Sequence, residues 1–201
     1  MNHLAHFFLS KNNDDLAIGN FVADFITNKE IPFFTEGVQK GIKLHREIDF
    51  FTDTHPMVKQ STKRLHEYHH KYSPVIVDVY YDYLLGKNWT TFQQDPSACL
   101  SGRQVSLSVF TQNIYSLLTS RHDELPKNLQ TNIKRMIADD WLMRYTTLEG
   151  LHEAFKRIEK YATFPGNFGN AAKHLEDFMP DFDEEFLAFF PDLIKHVEIV
   201  E

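Results

Sequence analysis

The chain has 201 residues, of which 42% are hydrophobic, so we expect a single domain with a packed core rather than disorder. The formal net charge of −7 argues against broad nucleic-acid binding, which needs a basic surface. The single cysteine, Cys99, excludes an intrachain disulfide and is predicted to be a small buried hydrophobe. No apolar run approaches the ~20 residues that cross a bilayer, and no signal peptide is apparent, so we expect a cytoplasmic protein without a membrane span.

The N-terminal part of the chain predicts two helices with polar side chains among apolar ones. His6 lies in the first, within Met1 to Leu9. The second begins after an Asn- and Asp-rich cap and carries Asn20 and Asp24. A buried carboxylate needs a partner or a metal ion, so we interpret Asp24 as a ligand or as half of a structural salt bridge. Gly19, inside the same helix, costs ~1 kcal/mol relative to alanine and therefore predicts that another part of the protein approaches closely there.

The next helix, predicted from about Glu36 to Thr52, carries the most informative residues. His45, Asp49 and Asp53 are spaced by four and therefore lie along one helical face, with Arg46 beside them. Imidazole and carboxylate groups can bind a divalent metal, and a guanidinium can bind a phosphate. The alternative is a surface ion pair between His45 and Asp49, which contributes only a few tenths of a kcal/mol.

Two further carboxylates, Asp78 and Asp82, occur four residues apart in a predicted helix from Val75 to Leu85. The rest of that segment is apolar or aromatic. Two carboxylates on one buried face repel each other unless a cation neutralises them. This pair is therefore a second candidate for a cation site.

The rest of the chain continues the helical pattern. The three crowded histidines His66, His69 and His70 could bind a metal, although a polar helix face is the commoner explanation. The dipeptide His122-Asp123 matches the name of the HD phosphohydrolases, but it lacks a buried helical setting and we treat it as coincidental. The remaining predicted helices span about 97–118, 127–144, 147–161 and 170–200, with breaks in the last at Pro180 and Pro191. No stretch alternates in the manner of a strand, so residues 1–201 predict one all-α domain, a bundle of about eight helices.

Basic residues cluster in one third of an otherwise acidic chain. This cluster could be the docking surface for an acidic partner, or one of two solvated faces of opposite charge. Its members are Lys40, Lys43, Arg46, Lys59, Lys63, Arg64 and Lys71.

Inward-facing polar groups thus come from several separate apolar helices. Imidazole and carboxylate ligands suit Mn²⁺, Mg²⁺ or Fe²⁺ better than a structural zinc site. Such a site can polarise a phosphoryl oxygen, and Arg46 can stabilise the negative charge that develops there. A phosphoester hydrolase is therefore the natural prediction from the residues Asp24, His45, Asp49, Asp78 and Asp82, with His6 as a further source.

The same residues lie in motifs that resemble those of the bacterial acyl carrier protein phosphodiesterases, an all-helical family distantly akin to HD phosphohydrolases. The resemblance covers nearly the whole chain. The matching motifs are Asn2-x-Leu4-Ala5-His6, Gly19-Asn20-x-x-Ala23-Asp24-Phe25, Gly41-Ile42-x-x-His45-Arg46-x-Ile48-Asp49, Thr52-Asp53, Asp78-Val79-x-x-Asp82, Trp141-Leu142-x-Arg144-Tyr145 and Phe190-Pro191.

This resemblance implies hydrolysis of the phosphodiester that joins 4′-phosphopantetheine to a serine of acyl carrier protein, with a divalent metal, typically Mn²⁺. It implies a role in fatty acid biosynthesis and lipid metabolism. By residue, it implies Arg46 as the phosphate contact and Asp78 as a second ligand or a base that orients water. The implied metal ligands are Asp24, His45, Asp49 and Asp82, with His6, Asn20 and Asp53 as secondary candidates. One departure is Tyr83, because the family often has histidine after the aspartate that corresponds to Asp82.

Acyl carrier protein is acidic, so the resemblance also gives the basic cluster a partner. The predicted docking residues are Lys40, Lys43, Lys59, Lys63 and Arg64. Two alternatives remain open from sequence: an HD-like metal phosphohydrolase of a small nucleotide or phosphoester, and a non-enzymatic helical binding protein whose buried acids are structural. The oligomeric state is left open.

Overall fold

A computed structural model describes residues 1–93 and 105–200, and every regular element in those ranges is helical. The α-helices are α1 (His3–Leu9), α2 (Asp14–Val22), α3 (Glu36–Thr54), α4 (Pro56–His69), α5 (Ser73–Lys87), α6 (Trp89–Gln93), α7 (Leu107–Ser120), α8 (Lys127–Ala138), α9 (Trp141–Arg144), α10 (Leu148–Tyr161), α11 (Ala171–Asp177) and α12 (Met179–Val200). The prediction of an all-α protein is confirmed.

Several predicted helix boundaries differ from the structure. The helix predicted to carry both Asn20 and Asp24 ends at Val22, and Asp24 lies in the 3-10 turn Ala23–Phe25 that follows. The helix predicted from 127 to 144 is divided into α8 and α9 because Asp140 adopts a left-handed conformation, with φ of 48°. The break predicted at Pro191 is wrong, since α12 continues through that residue. Pro180 lies in the first turn of α12, where the missing N–H has no helical partner to lose.

Part of the sequence analysis concerns residues outside the described ranges. Cys99 lies there, as does the first half of the helix predicted from about residue 97. The described part of that helix is α7, which begins at Leu107 after its cap residue Ser106. None of the described helices has the length and apolar character needed to span a membrane.

The core contains many of the phenylalanines, and α12 supplies a large share of them. Phe182, Phe186, Phe189 and Phe190 have no exposed surface, and α12 packs against α3 and α4. Aromatic rings meet at centroid distances of about 5 to 6 Å in edge-on or stacked pairs, as aromatic cores favour. This arrangement holds α3 and α4, which carry most of the predicted site residues, against a rigid layer.

Close packing of α2 against α3 sets the geometry of the site. Gly19 and Gly41 face each other there. A Cβ atom at Gly19 would overlap the carbonyl oxygen of Val38, and one at Gly41 would lie 2.5 Å from the carbonyl oxygen of Leu16. The close approach predicted from Gly19 is therefore confirmed. It brings the backbone of Asn20, the next residue, within reach of α3.

Candidate active site

Asp24, His45 and Asp49 form one connected cluster between α3 and the short 3-10 turn Ala23–Phe25 that follows α2. Nε2 of His45 lies 3.1 Å from Oδ1 of Asp24 and 3.1 Å from Oδ2 of Asp49. The prediction that His45 and Asp49 share a face of one helix is thereby confirmed. The two carboxylates are 46% and 39% exposed whereas the imidazole is buried, so the cluster opens to solvent on its acidic side.

His6 joins this cluster from α1. Its Nε2 atom lies 3.3 Å from Oδ1 of Asp49, and its ring stacks on that of His45 at a centroid distance of 4.2 Å. One ligand atom from each of His6, His45 and Asp49 lies within 4.8 Å of the others. The structure therefore brings a secondary candidate, His6, into the centre of the group.

Asn20 orients both histidines. Its backbone carbonyl oxygen accepts a hydrogen bond from Nδ1 of His45 at 2.8 Å. Its side-chain oxygen lies 2.7 Å from Nδ1 of His6, while its amide nitrogen donates to the carbonyl oxygen of His6. Because that nitrogen must donate, the side-chain oxygen is the acceptor and Nδ1 of His6 carries a proton. Both rings therefore turn Nε2 toward Asp49.

The electrostatics of the cluster favour a positive charge at its centre. Burial by itself lowers the pKa of His45, but hydrogen bonds with Asp24 and Asp49 outweigh burial and raise that pKa to about 9. Burial raises the pKa of Asp49, yet hydrogen bonds with His45 and His6 outweigh it and hold the pKa far below its usual range. For His6 burial dominates and lowers the pKa.

A divalent metal ion fits this donor set. Imidazole and carboxylate groups converge from three helical segments, and each histidine has its second nitrogen bound to an oxygen of Asn20. Histidine ligands of metals usually have such an outer partner, which fixes the tautomer. His6, His45, Asp49 and Asp24 would hold the ion, and binding would require loss of the proton on Nε2 of His45.

Asp78 and Asp82 face the start of α1 from one side of α5. Oδ1 of Asp78 lies 3.3 Å from the amino group of Met1, which also lies 3.2 Å from Oδ1 of Asp49. Asp82 has no exposed surface, and its carboxylate oxygens accept hydrogen bonds from the backbone N–H groups of Leu4 and Ala5 at 3.0 and 3.1 Å. Asp78 and Asp82 thus lie one helical turn apart on α5 but have different surroundings.

Through these contacts Asp82 caps the N-terminus of α1. The first helical N–H groups have no partner within α1, and Asn2 at the cap position makes no side-chain cap bond. Asp82 supplies the missing acceptor from α5. Burial raises the pKa of Asp82 to about 7, and that of Asp78 is also raised mainly by burial. Both carboxylate oxygens of Asp82 are thus engaged by the backbone of α1.

Arg46 and Asp53 lie on the exposed side of α3. The Arg46 guanidinium donates to Oδ1 of Asn28 at 2.5 Å, which places it beside the segment that follows Asp24. Asp53 lines a groove of about 640 Å³ together with Asp78. Tyr83, which replaces the histidine common in the family motif, is half-buried and packs against the hydrophobic core.

The predicted docking residues separate into three groups. Lys59 and Lys63 line the groove that also contains the carboxylates of Asp53, Glu67 and Asp78, and we call it the basic groove after these two lysines. Lys40 and Lys43 are exposed on the first half of α3 and do not line it; Lys40 pairs with Glu36 at 3.0 Å.

Arg64 points away from solvent instead. It donates to Oε1 of Glu185 at 2.6 Å, and Glu185 also accepts from Ser61 at 2.5 Å. Because Glu185 is buried, Arg64 is the cation that neutralises it. The Arg64 guanidinium is thus engaged within the fold, unlike the exposed Lys59 and Lys63.

Three features of the site were not predicted from the sequence. The orienting role of Asn20 depends on a contact between helices and leaves no periodic signal. The involvement of the Met1 amino group is equally invisible in a residue pattern. The third is an aromatic cavity beside Asp24, to which His3 and Trp141 contribute.

Comparison with known proteins gives the chain a clear set of relatives. The family model described as "Acyl carrier protein phosphodiesterase" matches residues 1–193. Curated proteins with the same name include one from Photorhabdus laumondii, 27% identical over 98% of this chain and 96% of the relative, and one from Pectobacterium atrosepticum, 27% identical over 97% and 96%. A relative from Serratia proteamaculans is 26% identical over 98% of both chains. No solved structure matches the chain.

Proposed function

Because the chain belongs to the acyl carrier protein phosphodiesterase family of enzymes, we propose that it hydrolyses holo-acyl carrier protein to apo-acyl carrier protein and 4′-phosphopantetheine. In this reaction a water oxygen bonds to phosphorus and the bond from phosphorus to the serine oxygen breaks. The serine oxygen takes up a proton, so the protein product has a free hydroxyl group. We further propose that the reaction depends on a divalent metal, Mn²⁺ in the first place, with Mg²⁺ and Fe²⁺ as alternatives.

The observation that supports a metal-dependent reaction is the convergence of two imidazole Nε2 atoms on Asp49. His6 and His45 are held in that orientation by their hydrogen bonds with Asn20. Preorganised ligands reduce the reorganisation that accompanies binding. A divalent ion bound there supplies Lewis-acid polarisation of a phosphoryl oxygen.

Other side chains have roles that follow from their positions. Arg46 is exposed next to His45 in the chain and beside the segment after Asp24, where its guanidinium can pair with two phosphate oxygens. Asp78 lies at the opposite end of the cluster and forms part of the wall of the basic groove. There it can accept a hydrogen bond from an attacking water and orient it. Asp78 and Arg46 would thus flank the phosphodiester.

The deciding experiment is incubation of the protein with holo-acyl carrier protein and Mn²⁺, read by intact mass spectrometry. We expect the carrier to lose a mass corresponding to 4′-phosphopantetheine, and chelation of the metal by EDTA to stop the loss. Asp49→Asn should abolish turnover. Asp123→Asn, an exposed carboxylate outside the cluster, is the matched control and should leave turnover unchanged.

The same assay separates the alternatives. Hydrolysis of small phosphoesters with an intact holo-carrier would favour the general phosphohydrolase over the proposal. Absence of turnover together with absence of Mn²⁺ binding in calorimetry would overturn the metal-dependent reaction itself.

A further inference from the structure

An aromatic cavity of about 620 Å³ lies beside the candidate active site, between the α1–α2 segment and helices α8 to α10. Its wall near the site includes Phe21 and Phe25, and Phe25 directly follows Asp24 in the chain. The ring of His3, on the same helix as His6, lies 5.4 Å from that of Phe21 and 6.2 Å from that of Phe25. The cavity therefore adjoins the end of the cluster marked by Asp24.

The opposite wall carries Trp141, Tyr145 and Arg157. The guanidinium carbon of Arg157 lies 5.0 Å from the centroid of the Trp141 ring, a cation–π distance. Nη2 of Arg157 is buried and has no hydrogen-bond acceptor, and among residues 1–93 and 105–200 no carboxylate forms an ion pair with this side chain. A buried donor of this kind favours a ligand that brings an acceptor oxygen.

The cavity and the basic groove lie at the two ends of one row of contacts. The row runs from Asp24 to His45, Asp49, the Met1 amino group and Asp78, with successive distances of 3.1, 3.1, 3.2 and 3.3 Å. Phe25 lines the cavity at one end, and Asp78 lines the basic groove at the other. A phosphodiester held at the row would have one substituent directed toward each opening.

We propose that the aromatic cavity binds the pantetheine arm of the substrate, with Arg157 donating a hydrogen bond to one of its amide carbonyl oxygens. This inference builds on the proposed function, because that function defines the two substituents of the phosphate. One is a folded acidic protein, whose carboxylates can pair with Lys59 and Lys63, the two exposed cations of a groove that also contains three carboxylates. The other is a thin uncharged chain with a dimethyl-substituted carbon, a hydroxyl, two amides and a thiol, which suits aromatic rings with one buried free donor. The other charged residues of the lining, Arg135, Asp139 and Lys160, are exposed.

The cavity wall includes residues of a family motif that lies outside the catalytic cluster. Trp141 and Tyr145 belong to the segment Trp141-Leu142-x-Arg144-Tyr145, which lies far from His45 in sequence. The α7–α9 contact holds this segment through Tyr115, whose hydroxyl accepts from the N–H of Leu142 at 2.9 Å. Its aromatic side chains are thereby fixed at the cavity wall, where they determine which arm can enter.

The test measures binding and turnover separately. Free pantetheine, which has no phosphate, is titrated into the metal-free full-length protein and followed by calorimetry. We expect saturable binding to the wild type and a loss of about tenfold or more in Arg157→Met, which removes the donor but keeps an apolar stem. Ile158→Trp, which adds bulk to the lining, should also weaken binding, while Lys156→Met, exposed on the same helix and outside the lining, is the control.

The second measurement is the steady-state kinetics of hydrolysis. In Arg157→Met, KM for holo-acyl carrier protein should rise about tenfold, while hydrolysis of bis(4-nitrophenyl) phosphate with Mn²⁺ stays at the wild-type rate. Wild-type pantetheine binding and wild-type KM in both cavity variants would overturn the inference. A wild-type protein that leaves holo-carrier intact would instead overturn the proposed function, and the calorimetric result would still decide whether the cavity binds the arm.

Discussion

Nδ1 of His45 lies 2.8 Å from the backbone carbonyl oxygen of Asn20. This hydrogen bond crosses from α3 to α2 at the place where Gly19 and Gly41 allow the two helices to approach. It fixes the imidazole so that Nε2 faces Asp24 and Asp49. The same residue holds His6 through its side chain, so Asn20 positions both histidines without facing the substrate.

Replacement of Asn20 should therefore weaken metal binding while the fold persists. In Asn20→Ala the carbonyl oxygen still accepts from His45, but His6 loses its side-chain partner. We expect Mn²⁺ affinity measured by calorimetry to fall by roughly 10- to 100-fold. The control is Asn113→Ala, an exposed position on α7. Equal Mn²⁺ affinity in Asn20→Ala and wild type would contradict this role.

Gly41→Ala should damage both stability and activity. The added methyl group would lie 2.5 Å from the carbonyl oxygen of Leu16 and 2.8 Å from Cα of Gly19, so α2 and α3 must separate. We expect the free energy of unfolding in urea to fall by ~1–3 kcal/mol, and kcat to fall because His45 moves away from Asn20. Gly169→Ala is the matched control, since a Cβ atom there meets no atom within 4 Å. Similar unfolding midpoints for the two variants would refute the explanation.

Asp82→Asn distinguishes an anchor of α1 from a metal ligand. An asparagine can accept only one of the two hydrogen bonds from Leu4 and Ala5, so one buried N–H loses its acceptor. We expect a loss of ~1–3 kcal/mol in the free energy of unfolding, with the same number of Mn²⁺ ions bound at saturation. Loss of the bound ion at unchanged stability would instead make Asp82 a ligand.

Charge reversal at Lys63 should affect the protein substrate alone. Lys63→Glu reverses one charge in the basic groove, so we expect KM for holo-acyl carrier protein to rise several-fold at low salt and less at high salt. Hydrolysis of bis(4-nitrophenyl) phosphate should be unchanged. Lys156→Glu, exposed on α10, is the control, and unchanged KM of Lys63→Glu at low ionic strength would contradict docking at this groove.

Arg64→Ala should behave differently, although the two residues are adjacent in sequence. It leaves the buried carboxylate of Glu185 without its cation, so we expect a loss of ~3–5 kcal/mol in the free energy of unfolding. A variant that keeps wild-type stability but has a raised KM would place Arg64 on the docking surface after all.

The paired histidines His69 and His174 should make the fold sensitive to acid. Nδ1 of His69 donates to the carbonyl oxygen of Gly166, and its Nε2 lies 2.8 Å from Nδ1 of His174. Only one proton fits between these two nitrogens, so the contact is lost when both rings are protonated. Burial lowers the pKa of both histidines below 6.5. The unfolded chain therefore binds more protons than the folded one below that pH, so this stabilisation is present above pH 6.5 and declines as the pH falls.

Urea unfolding between pH 7.5 and 5 can isolate this effect. The difference in unfolding free energy between wild type and His69→Gln should shrink as the pH falls, because the variant lacks one of the titrating rings. His152→Gln, outside the pair, is the control. A difference that stays constant over this range would show that the pair does not couple folding to pH.

Helical periodicity by itself determined the all-α class and the placement of His45 and Asp49 on one face of α3. These are local properties, since a repeat of 3.6 residues per turn fixes which side chains share a face. The ordered motifs also identified the family, which the match over residues 1–193 confirms.

Tertiary structure decided what local pattern could not. Asp78 and Asp82 lie one turn apart on α5 and have similar neighbours in sequence. Only Asp82 accepts hydrogen bonds from the first N–H groups of α1, because α1 begins against that turn of α5. Likewise Lys63 reaches the basic groove while Arg64, one residue further around the helix, turns to Glu185. Burial and partners depend on which helices meet, and a single sequence carries that information only through the fold.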